Sequence, residues 1–183
     1  MIGVDEVGRG ALAGPLVVAA VAVPNYGGET SIVKVRDSKQ LKPRAREEVT
    51  EALRAHPDVR IALARITPGM VDHLGMTAAG RIAVWRALEA LGNLRAFVFL
   101  DGGLAAPERF SQLTIIRGDV QLPVIAAASI VAKVHRDSFM QRQHNRFPKY
   151  GFDKHVGYGT RAHYAALRRH GPSPIHRRSF RLA

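Results

Sequence analysis

"IGVDEVGRGALAGPLVVAAVAV", residues 2–23, is the stretch whose reading decides the fold. Two apolar runs, Ile2–Val7 and Leu16–Val23, read as β-strands joined through a glycine-rich turn. The second run is almost wholly apolar, so it belongs in the middle of a sheet, covered on both faces. The first carries Asp5 beside Glu6, followed at once by Gly8-Arg9-Gly10. Adjacent carboxylates repel each other and a buried strand gains nothing from them. Something positive must therefore face them: solvent cations, a neighbouring Lys or Arg, or a metal ion. In a regular strand the two side chains point to opposite faces. For both to serve one site the strand has to end, bulge or twist at Glu6, and Gly8 and Gly10 supply the freedom to do so.

Working outward, Ser38–His56 reads as a helix with a charged outer face, ended by Pro57, and Val59–Ile66 as a third strand. Thr67-Pro68 offers a helix cap followed by proline at the first helical position. Over Met76–Leu91, the residues Ile82, Trp85, Leu88 and Leu91 recur at helical spacing, which places Trp85 in the core, and Gly92 stops the helix. "RAFVFLDGG" (95–103) is a short buried strand ending on Asp101, and "QLTIIRGD" (112–119) another ending on Asp119. "PVIAAASIVAKVHRDSFMQRQ" (123–143) is a tightly packed helix, and Thr160 caps a last one, Arg161–His170, stopped by Gly171-Pro172. No repeat or low-complexity linker divides the chain. The order predicts one α/β domain with a mixed sheet, antiparallel at its start and parallel in its later strands.

With 46% hydrophobic residues in 183, the chain can bury a real core. No apolar run reaches the roughly 18 residues of a membrane span, and the acidic N-terminus does not read as a signal peptide. Zero cysteines exclude a disulfide framework and a thiolate metal site, and they are compatible with a cytoplasmic protein. The net charge of +12 is unevenly spread. Residues 1–132 hold 15 Lys and Arg against 13 Asp and Glu, whereas residues 133–183 hold 12 against only Asp137 and Asp153. Six of the eight His also fall in this last segment. So one-sided a block points to a polyanionic partner, and nucleic acid is the usual one.

Asp101 and Asp119 each close an apolar run next to Gly. In open α/β sheets ligands bind outside the carboxyl ends of strands, so two parallel strands would bring both acids to one edge, with Asp5 as neighbour. Carboxylates gathered in an apolar setting need a cation, and oxygen-only donors suit Mg²⁺ or Mn²⁺ rather than zinc or copper. Facing a polyanion, this is the layout of two-metal phosphodiester hydrolysis. "GRGALAG" (8–14) is one residue longer than the dinucleotide-binding fingerprint and carries a bulky Arg. It reads better as a loop whose exposed N–H groups and Arg9 meet phosphate or ribose oxygens.

Taken in order, "VDEVGRGALAGPLVVAAV", "DSKQL", "FLDGG", "RGD" with "PVIAAASIVAKVHRD", and "FPKYGFDKHVGYGT…HGPSPIHRRSF" resemble the motifs of bacterial ribonuclease HII. The resemblance runs from Ile2 to Phe180. It implies a ribonuclease H-like α/β fold: a central five-stranded mixed sheet flanked by helices, with a basic helical C-terminal segment. Residues 1–183 would form one catalytic domain, about 1–140 being the core and about 141–183 a substrate-binding segment rather than an independent domain. It implies cleavage of RNA in RNA–DNA hybrids and incision 5′ to single ribonucleotides in duplex DNA, leaving a 3′-hydroxyl and a 5′-phosphate. By resemblance Asp5, Glu6, Asp101 and Asp119 hold the Mg²⁺ or Mn²⁺ ions, and Gly8, Arg9 and Gly10 sense the ribose 2′-hydroxyl.

The family's junction-reading tyrosine maps to Tyr158, whose flanking glycines free the backbone to approach a ligand, with Tyr150 as competitor. Lys39, Ser129 and Lys133 fall in shared motifs and are assigned to phosphate contacts or site support. Asp137 is expected in an intrahelical or neighbouring ion pair. His144, His155, His163, His170 and His176 lack metal-ligand spacing on a common face, which leaves them backbone contacts or a solvated surface. Departures from the family pattern are Ala11 for a frequent Pro, Gly75-Met76 for Asn-Ile, and Arg117 for Lys. The family's common leader is not seen; nor is the archaeal clamp-binding extension, so no clamp partner is expected, and the chain is expected to be a monomer. The alternatives are a ribonuclease HIII-like enzyme, whose glycine element lacks Arg, and a non-catalytic basic nucleic-acid-binding protein.

Overall fold

The computed structural model describes residues 1–24, 41–92 and 94–182. β1 (Ile2–Val7) lies antiparallel to β2 (Leu16–Ala22), with Asp5 opposite Ala19 and Glu6 opposite Val18. The far edge of β2 pairs antiparallel with β3 (Arg60–Ile66). On the other side of β1, β4 (Val98–Asp101) and β5 (Gln112–Ile115) add in parallel, so the order is β3-β2-β1-β4-β5. Every residue of β2 is buried, as an all-apolar central strand requires.

Helices cover both faces. On one, Ile2, Val4, Val18 and Ala20 pack against Ala79, Ala83, Val84 and Ala87 of α2 (Pro68–Ala90). On the other, Val17, Ala19 and Val21 meet Val124, Ala127, Ala128 and Val131 of α4 (Pro123–Arg146), with Leu53 of α1 (Pro43–Ala55) alongside. Between β5 and α4 lies α3 (Gly118–Gln121). A smaller cluster of Ala13, Met140, Tyr150 and Phe152 joins the glycine loop to the C-terminal segment, which contains α5 (Phe152–His155) and α6 (Arg161–His170). Thr67 caps α2 by accepting from the Met70 N–H (3.3 Å), and Thr160 caps α6 by accepting from the His163 N–H (3.2 Å). Among the described residues no helix is long and apolar enough to cross a membrane.

Four expectations change. The first helix begins at Pro43, and the Ser38 end assigned to it lies outside the described residues. The second is longer than Met76–Leu91: it starts at Pro68 and is interrupted at Gly75, where φ is 76°. Trp85 is 45% exposed rather than in the core. The inward face of α2 is the small-residue stripe Ala79, Gly80, Ala83, Val84, Ala87 and Leu88, so Trp85 falls one position outside it. Last, the strand read as ending on Asp119 stops at Ile115. Ile116 is exposed, Arg117 takes a left-handed conformation (φ 55°), and Asp119 sits in the first turn of α3.

α4 approaches β1 so closely that a Cβ on Gly3 would run into the Val124 carbonyl. Gly3→Ala should therefore destabilise the protein by about 1–3 kcal/mol. Urea unfolding checks this: an unchanged midpoint would show that α4 can retreat without cost.

Candidate active site

β1 keeps its pairing with β2 as far as Val7, but β4 accompanies it only from Ile2 to Val4, and β4 ends at Asp101. Asp5 and Glu6 therefore sit just past the parallel pairing, at the carboxyl edge of the sheet. They face opposite sides, since Asp5 pairs with Ala19 of the α4 face and Glu6 with Val18 of the α2 face. The expected break at Glu6 is absent. β1 is regular through Val7, and the chain turns at Gly8 (φ 89°). The two side chains share one site because the cleft wraps the open edge. Its volume is about 340 Å³, and Asp5, Glu6, Asp101 and Asp119 all line it. Gly8, Arg9, Ser129, Lys133 and Tyr158 also line it.

Local hydrogen bonds fix the acids. The Gly118 N–H donates to Asp101 Oδ1 (2.6 Å), tying the end of β4 to the start of α3, and Asp119 is buried one residue further on. The Glu6 N–H donates to Asp5 Oδ1 (2.7 Å), and the Ser129 hydroxyl of α4 also bonds Asp5. Burial, and after it the charges of Glu6 and Asp101, push the Asp5 carboxyl up to about 8. Burial and Asp101 also raise Glu6, against the pull of Arg9, whose Nη1 lies 3.5 Å from Glu6 Oε1. Glu6 Oε2 is buried with no hydrogen-bond partner among the described residues. Among the described residues no three acid or imidazole groups are arranged, as they stand, to hold a metal ion. The donor set nevertheless fits a hard divalent cation: it is all oxygen, burial and neighbouring acids disfavour the charged form of Asp5 in the absence of positive charge, and one buried oxygen lacks a partner among the described residues.

Two buried arginines shape the glycine loop, and neither was read from the sequence as a site residue. Arg136 donates to the carbonyls of Pro15 (3.0 Å), Val156 (2.8 Å) and Ala13 (2.9 Å). Arg177 donates to those of Gly14 (3.1 Å) and Arg9 (3.0 Å). A Cβ on Gly8 would strike the Arg136 side chain. The N–H groups of Leu12 and Ala13 bond the Gly157 carbonyl, and that of Gly14 bonds Ile175, so much of the loop faces the C-terminal segment rather than a ligand. Arg9 and Gly10 remain exposed. Arg136 did have a sequence signal, standing in register with Ala132 and Met140 on the buried face of α4. Arg177, in an irregular segment, had none.

The two tyrosines separate. Tyr158 lines the cleft with its ring over the Arg136 guanidinium (5.3 Å). Tyr150 is core, stacked on Phe152 (5.4 Å) with its hydroxyl donating to the Gly171 carbonyl (2.8 Å). Lys133 pairs with Asp137 (2.8 Å) within α4, and Arg46 of α1, unforeseen in the sequence, reaches Asp137 (3.9 Å) and lines the same cleft. Lys39 lies outside the described residues. His155 and His163 make the expected backbone contacts, to the carbonyls of Tyr150 and Tyr158 (2.8 and 2.9 Å). With His176 they form a buried cluster that their spacing did not reveal. A larger groove of about 730 Å³ lies before β4 and β5, where the one acid, Glu89, is paired with Arg109.

A five-stranded mixed sheet with carboxylates at the ends of β1 and β4 and just beyond β5 defines a ribonuclease H-like α/β protein. Comparison narrows this, because the sequence profile of ribonuclease HII matches residues 2–183. The chain belongs to the ribonuclease HII family and is a ribonuclease, so the non-catalytic alternative falls. It is 43% identical over 181 residues to ribonuclease HII of Chlamydia caviae, covering 97% of this chain and 82% of that one. It superposes on the RNase HII of Archaeoglobus fulgidus, solved in complex with PCNA, at a TM-score of 0.80 and 25% identity (97% and 91% covered). The ribonuclease H2 of Pyrococcus horikoshii OT3 gives 0.75 at 26% identity (99% and 93% covered).

The Asp5 shift has a stability consequence. Its folded pKa of about 8 exceeds the ordinary 3.8, so in metal-free protein the folded state holds a proton that the unfolded state has lost between those values. Stability should fall as pH rises from about 4 to about 8. Asp5→Asn should flatten that slope and give a higher Tm than wild type at pH 8 in EDTA. Calorimetry at pH 5 and pH 8 measures it, and parallel pH profiles for the two proteins would contradict the shift.

Proposed function

We propose that this chain cleaves the RNA strand of RNA–DNA hybrids and incises duplex DNA 5′ to a single ribonucleotide, leaving a 3′-hydroxyl and a 5′-phosphate. The observation that carries this reading is that all four carboxylates share one cleft with Arg9 and Tyr158. Asp5, Glu6, Asp101 and Asp119 would hold two divalent ions, Mg²⁺ or Mn²⁺. Bound there, the ions supply an activated water and stabilise the leaving oxygen. Ser129 holds the Asp5 carboxyl in place. Arg9 and the open main chain at Gly10 present donors to the ribose 2′-hydroxyl, while the Tyr158 ring offers a flat surface to the sugar beyond it. Lys133 stands at the cleft wall for a phosphate, and Lys39 is given the same task on its motif alone.

The basic residues from about 141 to 183 hold the duplex phosphates, within one catalytic domain whose core is about 1–140. What supports a single unit is that Arg177 bonds the glycine loop directly. The reading includes ribonucleotide removal from DNA by a cytoplasmic monomer.

A duplex with one ribonucleotide, compared with an all-DNA duplex in Mg²⁺, Mn²⁺ and EDTA, tests the reaction. Cutting at the ribonucleotide's 5′ side is expected with metal only, and equal cutting of all-DNA duplex would sink the proposal. Asp101→Asn and Asp119→Asn should each lower kcat by at least about a hundredfold with the fold retained by circular dichroism. A variant that keeps its activity would remove that residue from the metal site.

A further inference from the structure

Beneath Tyr158, a chain of hydrogen bonds has only one possible direction. A main-chain N–H can only donate and a carbonyl can only accept. The Ser173 N–H lies 2.8 Å from His176 Nδ1, so that nitrogen carries no proton and Nε2 does. The Ser173 hydroxyl lies at 2.8 Å from the same nitrogen. His176 Nε2–H points at His163 Nε2, 2.9 Å away, which must accept. The His163 proton is then on Nδ1 and is donated to the Tyr158 carbonyl at 2.9 Å. Both rings are buried, and a second proton on either would set two N–H groups face to face. Burial lowers the pKa of both, in keeping with neutral rings.

The relay ends on a turn held from other directions as well. The Tyr158 N–H donates to the His155 carbonyl (2.9 Å), its carbonyl also accepts from Thr160 N–H (2.8 Å), and its ring rests on Arg136. His155 stacks on His163 at 4.3 Å and is oriented by the Gly157 N–H on its Nδ1 (3.2 Å). The segment where the relay begins also carries Ile175, whose carbonyl holds Gly14, and Arg177, which reaches the Arg9 carbonyl. One short segment, 173–177, thus bonds the main chain at Arg9 and, through His163, that at Tyr158.

We propose that His163 and His176 are positioning residues: their directed hydrogen-bond relay fixes Tyr158 relative to Arg9 and so sets the affinity for a duplex containing a single ribonucleotide. This rests on the reading of Tyr158 given under Proposed function.

The tautomers are measured directly on the intact protein by ¹⁵N imidazole shifts at pH 7. His176 should carry its proton on Nε2 and His163 on Nδ1; the opposite tautomer, or a charged ring, at either position overturns the relay. The kinetic arm uses the single-ribonucleotide duplex. His163→Phe, which removes the donor, should raise KM about tenfold while kcat moves less than about threefold. His163→Asn, which restores an N–H near the Nδ1 position, should recover most of the loss. In a Tyr158→Ala background, His163→Phe should add nothing further. The same penalty in both backgrounds, or a change in Tm alone, overturns positioning. An unchanged KM for Tyr158→Ala would instead defeat the reading of Tyr158, whatever the tautomers show.

Discussion

Two buried guanidiniums hold this structure together where it matters for chemistry. Arg136 from α4 and Arg177 from the C-terminal segment both grip the main chain between β1 and β2, and neither is exposed. Removing a guanidinium from water is costly unless its donors are satisfied. Main-chain carbonyls accept from all three nitrogens of Arg136 and from Nε and Nη1 of Arg177, whose Nη2 is left without a partner among the described residues. Hydrogen bonds to charged groups contribute about 1.5–3 kcal/mol each, so those of Arg136 together outweigh an ordinary pair by a wide margin. The two charges also repel: burial, and after it Arg136, bring Arg177 down to about 10, which still leaves it charged at neutral pH. The loop they hold is the one that follows Asp5 and Glu6, so the route of the chain out of β1 depends on residues more than 120 positions away.

The cleft beyond that loop has the opposite electrostatic character. Its acids are crowded and desolvated, and the folded chain relieves them only partly, through Ser129, Arg9 and two main-chain N–H groups. Positive charge entering such a cleft would relieve that crowding. Of the positive side chains nearby, Arg9 faces Glu6, whereas Lys133 is paired with Asp137 and both buried arginines are engaged with carbonyls. A cleft so rich in acids would repel a polyanion unless positive charge stood between them.

How far the sequence could be read depended on whether a residue's surroundings were local. The all-apolar run of β2 announced a central strand because period and composition require no partner to be known. Thr67 and Thr160 were legible as caps for the same reason, since a cap acts within three residues. Trp85 was misplaced because helical spacing shows that a face exists without showing which stripe packs, and the small residues of α2 approach the sheet more closely than an indole can. Asp119 was recognised but set on the wrong element, because a left-handed Arg117 ends the strand early and no pattern announces it. The expected break at Glu6 failed instructively. Two carboxylates on opposite faces of a strand can share a cleft when the neighbouring strand stops short, and strand length is a property of the sheet.

By itself, then, the sequence determined the α/β class, the strand order's antiparallel beginning, the acids and the basic character of the last third, all from periodicity, composition and motif. Only tertiary structure decided which tyrosine faces the cleft, what holds the glycine loop, and how His155, His163 and His176 come together. The physical reason is the same in each case. These outcomes turn on hydrogen bonds and packing between residues far apart in the chain, such as Arg177 with Arg9 or His176 with His163, and no local pattern encodes a partner that only folding brings near.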